Sequence, residues 1–246
     1  MGKLETGHAK NMANFDELLT VVIGYGTIYK PSKSSILLPA LQTLATNARN
    51  ALAAVNIAAA SYHTAVANRE VAFSTLGKLC TRILNAIKAT DTTEQIDDNA
   101  KSLVRKIQGT RALQPAAIAA EKASTSETVV AKTNSSSQMG FDTRLDNFDK
   151  LIKLLIGITL YAPNEADIKT AALTTLYNDL KAKNTAVVTA AVALSNARIA
   201  RNDIFYKTNI GLVDLTLDIK NYVRSLYGVG SPQLKQLTKL SFKNCN

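Results

Sequence analysis

The feature that most constrains this chain is a long Ala-rich stretch without glycine, from Ser32 to Phe73. A helix of roughly 42 residues at about 1.5 Å per residue would extend roughly 63 Å, so it predicts a partner helix along its flank. Small residues in its middle favour a tight antiparallel pair. Its apolar residues recur at steps of three and four, on one helical stripe: Leu37, Leu41, Leu44, Ala48, Ala51, Val55, Ala58, Tyr62, Val66 and Phe73.

A near-copy of this stretch runs from Asn164 to Phe205, 132 positions later. Between 29–73 and 161–205, 14 of 45 aligned positions are identical, including the Tyr-x-Pro that precedes each helix. The match continues upstream with a one-residue shift, at Asn-Phe-Asp. Since these strings are not explained by alanine content, we interpret the pattern as an internal duplication.

The duplication predicts two related helical units, 1–109 and 141–246, packed together as one body. Residues 110–140 differ in composition, with polar runs such as Ser124–Glu127, and predict a linker or an extended loop. The predicted fold class is all-α: an elongated antiparallel helical bundle built from an internal duplication of a long-helix unit.

Charge and cysteine content limit the classes of partner and compartment. The formal charge of +10 is spread along the chain, so nucleic acid is permitted as a partner but not indicated. Cys80 and Cys245 cannot form a disulfide framework, which favours a reducing compartment. The chain shows neither a signal-peptide pattern nor an apolar run of roughly 18 residues. We expect a cytoplasmic product, with export by a signal-less route left open.

Local signals predict where the helices end. Gly24-Tyr25-Gly26 ends a first helix, Ser74–Gly77 interrupts the chain after the first long helix, and Gly109 ends a helix that begins near Thr90. If the chain does not turn at Gly77, the first long helix continues to about Lys88.

Other signals predict where helices begin. Asn11 or Asn14 is the expected cap of the helix from Phe15, and Ser32 and Asn164 are the expected caps of the two long helices. Ser231 followed by Pro232 predicts a further cap near the C-terminus. Because Pro39 lies near the start of the first copy, it predicts a kink or a delayed start that the second copy lacks.

Catalytic and metal-binding chemistry is not supported by the residue inventory. His8 and His63 are the only histidines, and Cys-x-x-Cys, Gly-x-Ser-x-Gly and P-loop patterns are absent from the sequence. Asp16 and Asp149 recur in both copies, but compensation of a helix dipole explains them. We therefore predict no enzyme activity, no cofactor and no metal.

Two features are candidates for interaction. Arg69 and Arg201 recur at the same position of the two copies, where each could bind a partner carboxylate or phosphate. Alternatively each is a packing side chain or a local ion pair, with Glu70 and Asp203 as the nearby acids.

The second candidate is the C-terminal segment, in which Lys235, Lys239 and Lys243 are four residues apart beside a leucine face. This spacing suits a helix that touches a membrane surface or nucleic acid. The alternative is a small amphipathic element docked on the body with its lysines in solvent.

Four strings carry a resemblance: Leu4–Asn11, Gly24–Gly26, Tyr161–Asp167 and Leu180–Val188. Through them the chain resembles, over nearly its full length, a family of uncharacterised proteins from flavobacteria and related Bacteroidota. The resemblance implies a bacterial source and one continuous module. It brings no activity, cofactor or site residue with it.

The leading hypothesis is a non-catalytic structural or protein-interaction bundle, as a homo-oligomer or part of a larger assembly. One alternative is a membrane-acting bundle similar to α-helical pore-forming toxins, and another is a basic nucleic-acid-binding protein. We expect a protein partner or self-association. A membrane is an alternative partner, nucleic acid is disfavoured, and no small-molecule substrate is inferred.

Overall fold

The computed structural model describes residues 7–110 and 139–245. Within these residues there is no strand, so the predicted all-α bundle is confirmed. None of the described helices has the length and apolar content that a membrane span requires. The helices are α1 His8–Gly24, α2 Leu38–Ser74, α3 Leu76–Lys88, α4 Glu94–Gln108, α5 Phe141–Ile156, α6 Thr170–Tyr206, α7 Leu212–Tyr227 and α8 Pro232–Thr238, with 3-10 turns at Gly26–Ile28, Ser34–Ile36 and Ala166–Ile168.

The described residues form two compact units, and each takes part of both long helices. Unit one comprises the described residues of Met1–His63 and Thr189–Asn246, and unit two those of Thr64–Val188. Helix α2 thus begins in unit one and ends in unit two, whereas α6 does the reverse. The units predicted at 1–109 and 141–246 follow the sequence copies, so each compact unit combines segments of both copies.

The core of unit one joins α1, α7 and α8 to the start of α2 and the end of α6. Phe15 and Leu18 on α1 and Phe205 on α6 are fully buried in it. Each such side chain contributes about 1.5–3 kcal/mol on burial. Helix α7 supplies residues at helical spacing: Leu212, Leu215, Ile219 and Val223.

The core of unit two joins α3, α4 and α5 to the end of α2 and the start of α6. Phe73, Phe148 and Leu151 are buried at its centre, and Ile107 on α4 packs against them. Cys80 on α3 is fully buried, and this burial raises the pKa of its thiol to about 12. The thiol is therefore a packing group at neutral pH.

Each unit contains the same buried tyrosine hydrogen bond. The Tyr29 hydroxyl donates to the carbonyl oxygen of Ile36 at 2.8 Å, and the Tyr161 hydroxyl donates to that of Ile168 at 2.8 Å. Both acceptors are the last residue of a 3-10 turn. Burial raises the pKa of both phenols, that of Tyr161 to about 12. Each bond therefore holds the 3-10 turn that precedes a long helix.

The two long helices have the same length and the same starting register. Helices α2 and α6 are each 37 residues long, and each begins after a 3-10 turn at the same register. The predicted internal duplication stays a prediction, and these matched elements support it.

Both long helices begin later than predicted. Ser32 and Asn164 do not cap them, because each is followed by a 3-10 turn before the α-helix starts. Pro39 is the second residue of α2, where its missing N–H costs no intrahelical bond. It does not cause the later start, since α6 begins at the same register with Ala171. The predicted asymmetry at Pro39 is therefore wrong.

The predicted break after the first long helix is confirmed. Helix α2 ends at Ser74 and α3 begins at Leu76, so α2 does not continue to Lys88. Gly109 ends α4 with a φ of 70°, a left-handed conformation that glycine adopts at little cost.

The remaining predicted caps have different outcomes. Ser231 caps α8, since its hydroxyl oxygen accepts a hydrogen bond from the Leu234 amide at 3.3 Å. Helix α1, in contrast, begins at His8, so Asn11 and Asn14 lie inside it and do not cap it. The predicted linker at 110–140 lies outside the described residues, except for its ends at 110 and 139–140.

Candidate interaction surfaces

Arg69 lies near the end of α2 in unit two, between α5 and α6. Its guanidinium carbon is 3.9 Å from the ring centroid of Phe141, and its Nη1 donates to Asn184 Oδ1 at 3.0 Å. Asn184 in turn donates to Asp142 Oδ1 at 2.6 Å. The buried Nε–H has no hydrogen-bond partner among the described residues. Stacking and the amide bridge thus hold this side chain inside unit two.

Arg201 has the corresponding place in unit one, at the end of α6. Its Nε and Nη2 donate to Asn202 Oδ1 at 3.1 and 2.8 Å. His8 takes the place of Phe141 here and packs edge-on to Phe205, with ring centroids 5.9 Å apart. Burial, and then the charge of Arg201, lower the pKa of His8, while a hydrogen bond with Asn202 opposes them.

Both arginines therefore have internal contacts, as the packing alternative predicted, and their hydrogen-bond partners are side-chain amides. Glu70 and Asp203 were the acids expected to pair with them, but the ion pairs of the described residues include neither acid. Side-chain amides take that place. A direct role of Arg69 and Arg201 in binding a partner stays a prediction.

The C-terminal lysine segment lies on unit one. Lys235, Lys239 and Lys243 are exposed, while the leucines between them are buried in the core: Leu234, Leu237 and Leu240. Helix α8 ends at Thr238, so Lys239 and Lys243 lie outside it. A helical register through Lys243 is therefore wrong, although the alternation of buried and exposed residues continues.

The segment after α8 is not helical and is held by side chains of α1. Asn11 Nδ2 donates to the Lys243 carbonyl at 2.7 Å, and the Lys243 amide donates to Asn11 Oδ1 at 3.1 Å. Asn14 Nδ2 donates to the Ser241 carbonyl at 2.6 Å. No local signal could reveal these contacts, since their partners are more than 200 positions apart in the sequence.

A surface groove of about 420 Å³ lies in unit two between α3 and α6. Arg82 Nη2 donates to Asp167 Oδ1 at 3.1 Å beside it, and this bond lowers the pKa of Asp167. The lining contains one carboxylate, and Arg82 already binds it.

The described residues contain no group of three or more side chains placed to bind a metal. His8 precedes the helix predicted from Phe15, but it lies in α1 against aromatic rings. His63 is exposed on α2, with its ring 5.7 Å from that of Tyr62.

The middle of α2 exposes small and aliphatic side chains. No charged residue occurs from 50 to 68. Within unit one, Ala53, Ile57 and Ala60 are separated by four and three residues and are all exposed, Ile57 by 68%. This spacing places them on one line of the helix. We refer to these three residues as the α2 seam.

Helix α6 has a similar line within unit one. No charged residue occurs from 184 to 197. Val192, Ser195 and Ile199 are exposed at the same spacing, Val192 by 54% and Ile199 by 57%. We refer to them as the α6 seam. The apolar spacing in the sequence is compatible with several stripes, and only the packing distinguishes the buried stripe from these exposed ones.

Comparisons of the chain with protein-family models, with curated proteins and with solved structures gave no match. The family resemblance of the four sequence strings stays an expectation.

Proposed function

We propose that this chain is a non-catalytic helical bundle that acts by binding protein, and that its partner is a second copy of itself. The two seams of unit one form the contact. The observation that carries the proposal is the exposure of Ile57, Val192 and Ile199 in helix segments whose other exposed residues are small or polar.

The spacing of the seams suits a helical partner. Residues separated by alternating steps of three and four form the contact line of paired helices. Small neighbours such as Ala53 and Ala60 allow a second helix to approach closely. The occupant therefore needs an apolar helix with small residues, which the chain itself supplies twice.

Charge favours a second copy at the seams rather than elsewhere. The chain carries a formal charge of +10, so two copies repel each other over most of their surface. The stretches 50–68 and 184–197 contain no charged residue and avoid a like-charge contact at the seam. A charge-free face is thus the surface where self-association costs least.

The decisive experiment measures the mass in solution of the unchanged chain and of variants with a charged residue in a seam. Light scattering coupled to size exclusion, over a concentration series, should find a dimer or larger species for the unchanged chain. Ile57→Asp should weaken association at least about tenfold. Burial of an isoleucine contributes about 1.5–3 kcal/mol, and a buried unpaired carboxylate adds a further penalty.

Asn56→Asp is the matched control, because it adds the same charge at an exposed neighbour that lies off the seam. Asn196→Asp serves in the same way for Val192→Asp on α6. A monomer at every concentration contradicts the proposal. Equal loss of association in Ile57→Asp and Asn56→Asp also contradicts it, since a general charge effect would then explain the result.

A further inference from the structure

Two chain segments lie side by side at one end of unit one. They are 20–33, after the middle of α1, and 218–235, which contains the end of α7 and the start of α8. The rings of Tyr25 and Tyr227 are 5.2 Å apart, and those of Tyr29 and Tyr222 are 5.1 Å apart. The Tyr25 hydroxyl donates to the Gln233 carbonyl at 3.2 Å. We refer to these two segments together as the tyrosine end.

The tyrosine end exposes four large aliphatic side chains. Ile28 is 57% exposed and Val229 is 87% exposed. In the same two segments, Ile23 is 46% exposed and Leu226 is 36% exposed. Val229 lies between Gly228 and Gly230, whose φ angles are 82° and 87°. Glycine adopts such angles readily, so the turn presents one aliphatic side chain to solvent.

The same segments are strongly basic. Together they contain five basic residues and one acidic residue, Asp218. Lys33 Nζ binds Asp218 at 2.5 Å, which neutralises that one carboxylate. Lys30, Arg224 and Lys235 are exposed. The same two segments therefore combine exposed aliphatic side chains with an excess of exposed cations.

Unit two lacks this combination at the corresponding place. Its equivalent segments, 153–165 and 82–99, contain three basic and five acidic residues. Ile156 and Leu160 are exposed there, by 63% and 55%, but the turn that corresponds to Val229 is the polar Thr90–Thr93. The comparison isolates the basic charge and the Val229 turn as properties of unit one.

We propose that the tyrosine end docks on an anionic lipid surface. Aliphatic side chains enter the boundary between headgroups and acyl chains, and cations bind the headgroups. The exposed Val229 and Ile28 argue against a nucleic-acid phosphate backbone, which offers charge without an apolar layer. Docking needs no spanning helix.

The test is co-sedimentation of the full chain with vesicles. Binding to phosphatidylglycerol–phosphatidylcholine vesicles should exceed binding to phosphatidylcholine vesicles by about tenfold or more, and it should weaken with salt. Val229→Ser should lower the partition coefficient several-fold. Arg224→Gln together with Lys235→Gln should reduce it for anionic vesicles alone.

Leu160→Ser is the matched control, since it removes an exposed aliphatic side chain at the corresponding end of unit two and should leave binding unchanged. Ile57→Asp should also bind vesicles normally, which separates this surface from the self-association seam. Absence of vesicle binding overturns the proposal. So does binding that depends on charge but not on Val229, because the net charge of the chain would then account for it.

Discussion

Unit one and unit two build the same aromatic centre, but one of them places a titratable ring in it. In unit two, Phe73 packs edge-on to Phe141 at 4.9 Å, and Arg69 covers the second ring. In unit one, Phe205 packs against His8, and Arg201 is near enough to lower the pKa of that histidine. A neutral ring next to a guanidinium stabilises the centre, whereas a protonated histidine next to it opposes folding.

The units also have an ion pair of opposite polarity at the 3-10 turn that precedes each long helix. Lys33 beside the 3-10 turn binds Asp218 of α7 in unit one, whereas Asp167 within the turn binds Arg82 of α3 in unit two. Because an ion pair forms with either polarity, the backbone arrangement here does not depend on whether the cation lies at the turn or on the neighbouring helix.

A third difference is what covers the first helix of each unit. Asn14 on α1 donates to the Ser241 carbonyl of the C-terminal segment, whereas Asn147 on α5 donates to the Thr143 carbonyl of its own helix. Helix α4 packs on α5 in place of a tail. The first helix of each unit is thus covered by a different kind of segment.

Removal of the shared aromatic centre should have the largest effect. Phe73→Ala and Phe205→Ala should each lower the free energy of unfolding by about 3–5 kcal/mol, since both rings are fully buried. Urea unfolding followed by circular dichroism measures the change. If either variant loses less than about 1 kcal/mol, the two centres are not equivalent.

Loss of the shared tyrosine hydrogen bond should have a smaller effect. Tyr29→Phe and Tyr161→Phe should each cost about 1–3 kcal/mol, because a buried carbonyl loses its donor. Tyr62→Phe, at a half-exposed position of α2, is the control and should change little. Unequal costs in the same urea experiment would show that the two turns are held differently.

The histidine should make the stability of unit one depend on pH. The pKa of His8 is lowered from 6.5 in the folded chain, so the unfolded chain binds the proton more tightly. The contribution of neutral His8 to the free energy of unfolding is complete above pH 6.5. It is lost as the pH falls towards the lowered folded-state pKa. His8→Phe should therefore gain melting temperature relative to the unchanged chain as the pH falls below 6.5.

Phe141→His is the converse variant and should introduce the same dependence in unit two. Thermal melts at a series of pH values measure both. If the difference in melting temperature between His8→Phe and the unchanged chain stays constant with pH, the proposed contrast between the units is wrong.

Reversal of an exposed ion pair should have the smallest effect. Lys33→Asp places two carboxylates together and should lower the melting temperature slightly, by a free energy of at most about 1 kcal/mol. Adding Asp218→Lys should restore it, since unit two already has that polarity. Failure of the double variant to recover would mean that the lysine also packs in a way that aspartate cannot replace.

The sequence predicted the features that depend on neighbouring residues. The helical period, the helix end at Gly109 and the Ser231 cap are local signals, and the structure confirms each of them. The late start of the long helices was missed because it depends on Tyr29 and Tyr161, whose hydroxyls reach carbonyls seven residues away.

The interaction surfaces were largely beyond sequence reasoning. Arg69 and Arg201 were identified from their repetition, but their contacts with Asn184 and Asn202 were not predicted. Asn11 was interpreted as a cap from its local sequence, since its actual partner Lys243 is 232 positions away.

By itself the sequence determined that this chain is helical, where most of its helices end and that its charge is spread. Those properties follow from backbone preferences and from the period of a helix, which neighbouring residues decide. Only the tertiary structure decided which apolar stripe is buried and which is exposed, and that Val229 and Ile57 are left to solvent. Burial is a competition among distant segments for the same core, and its outcome depends on packing that no local pattern contains.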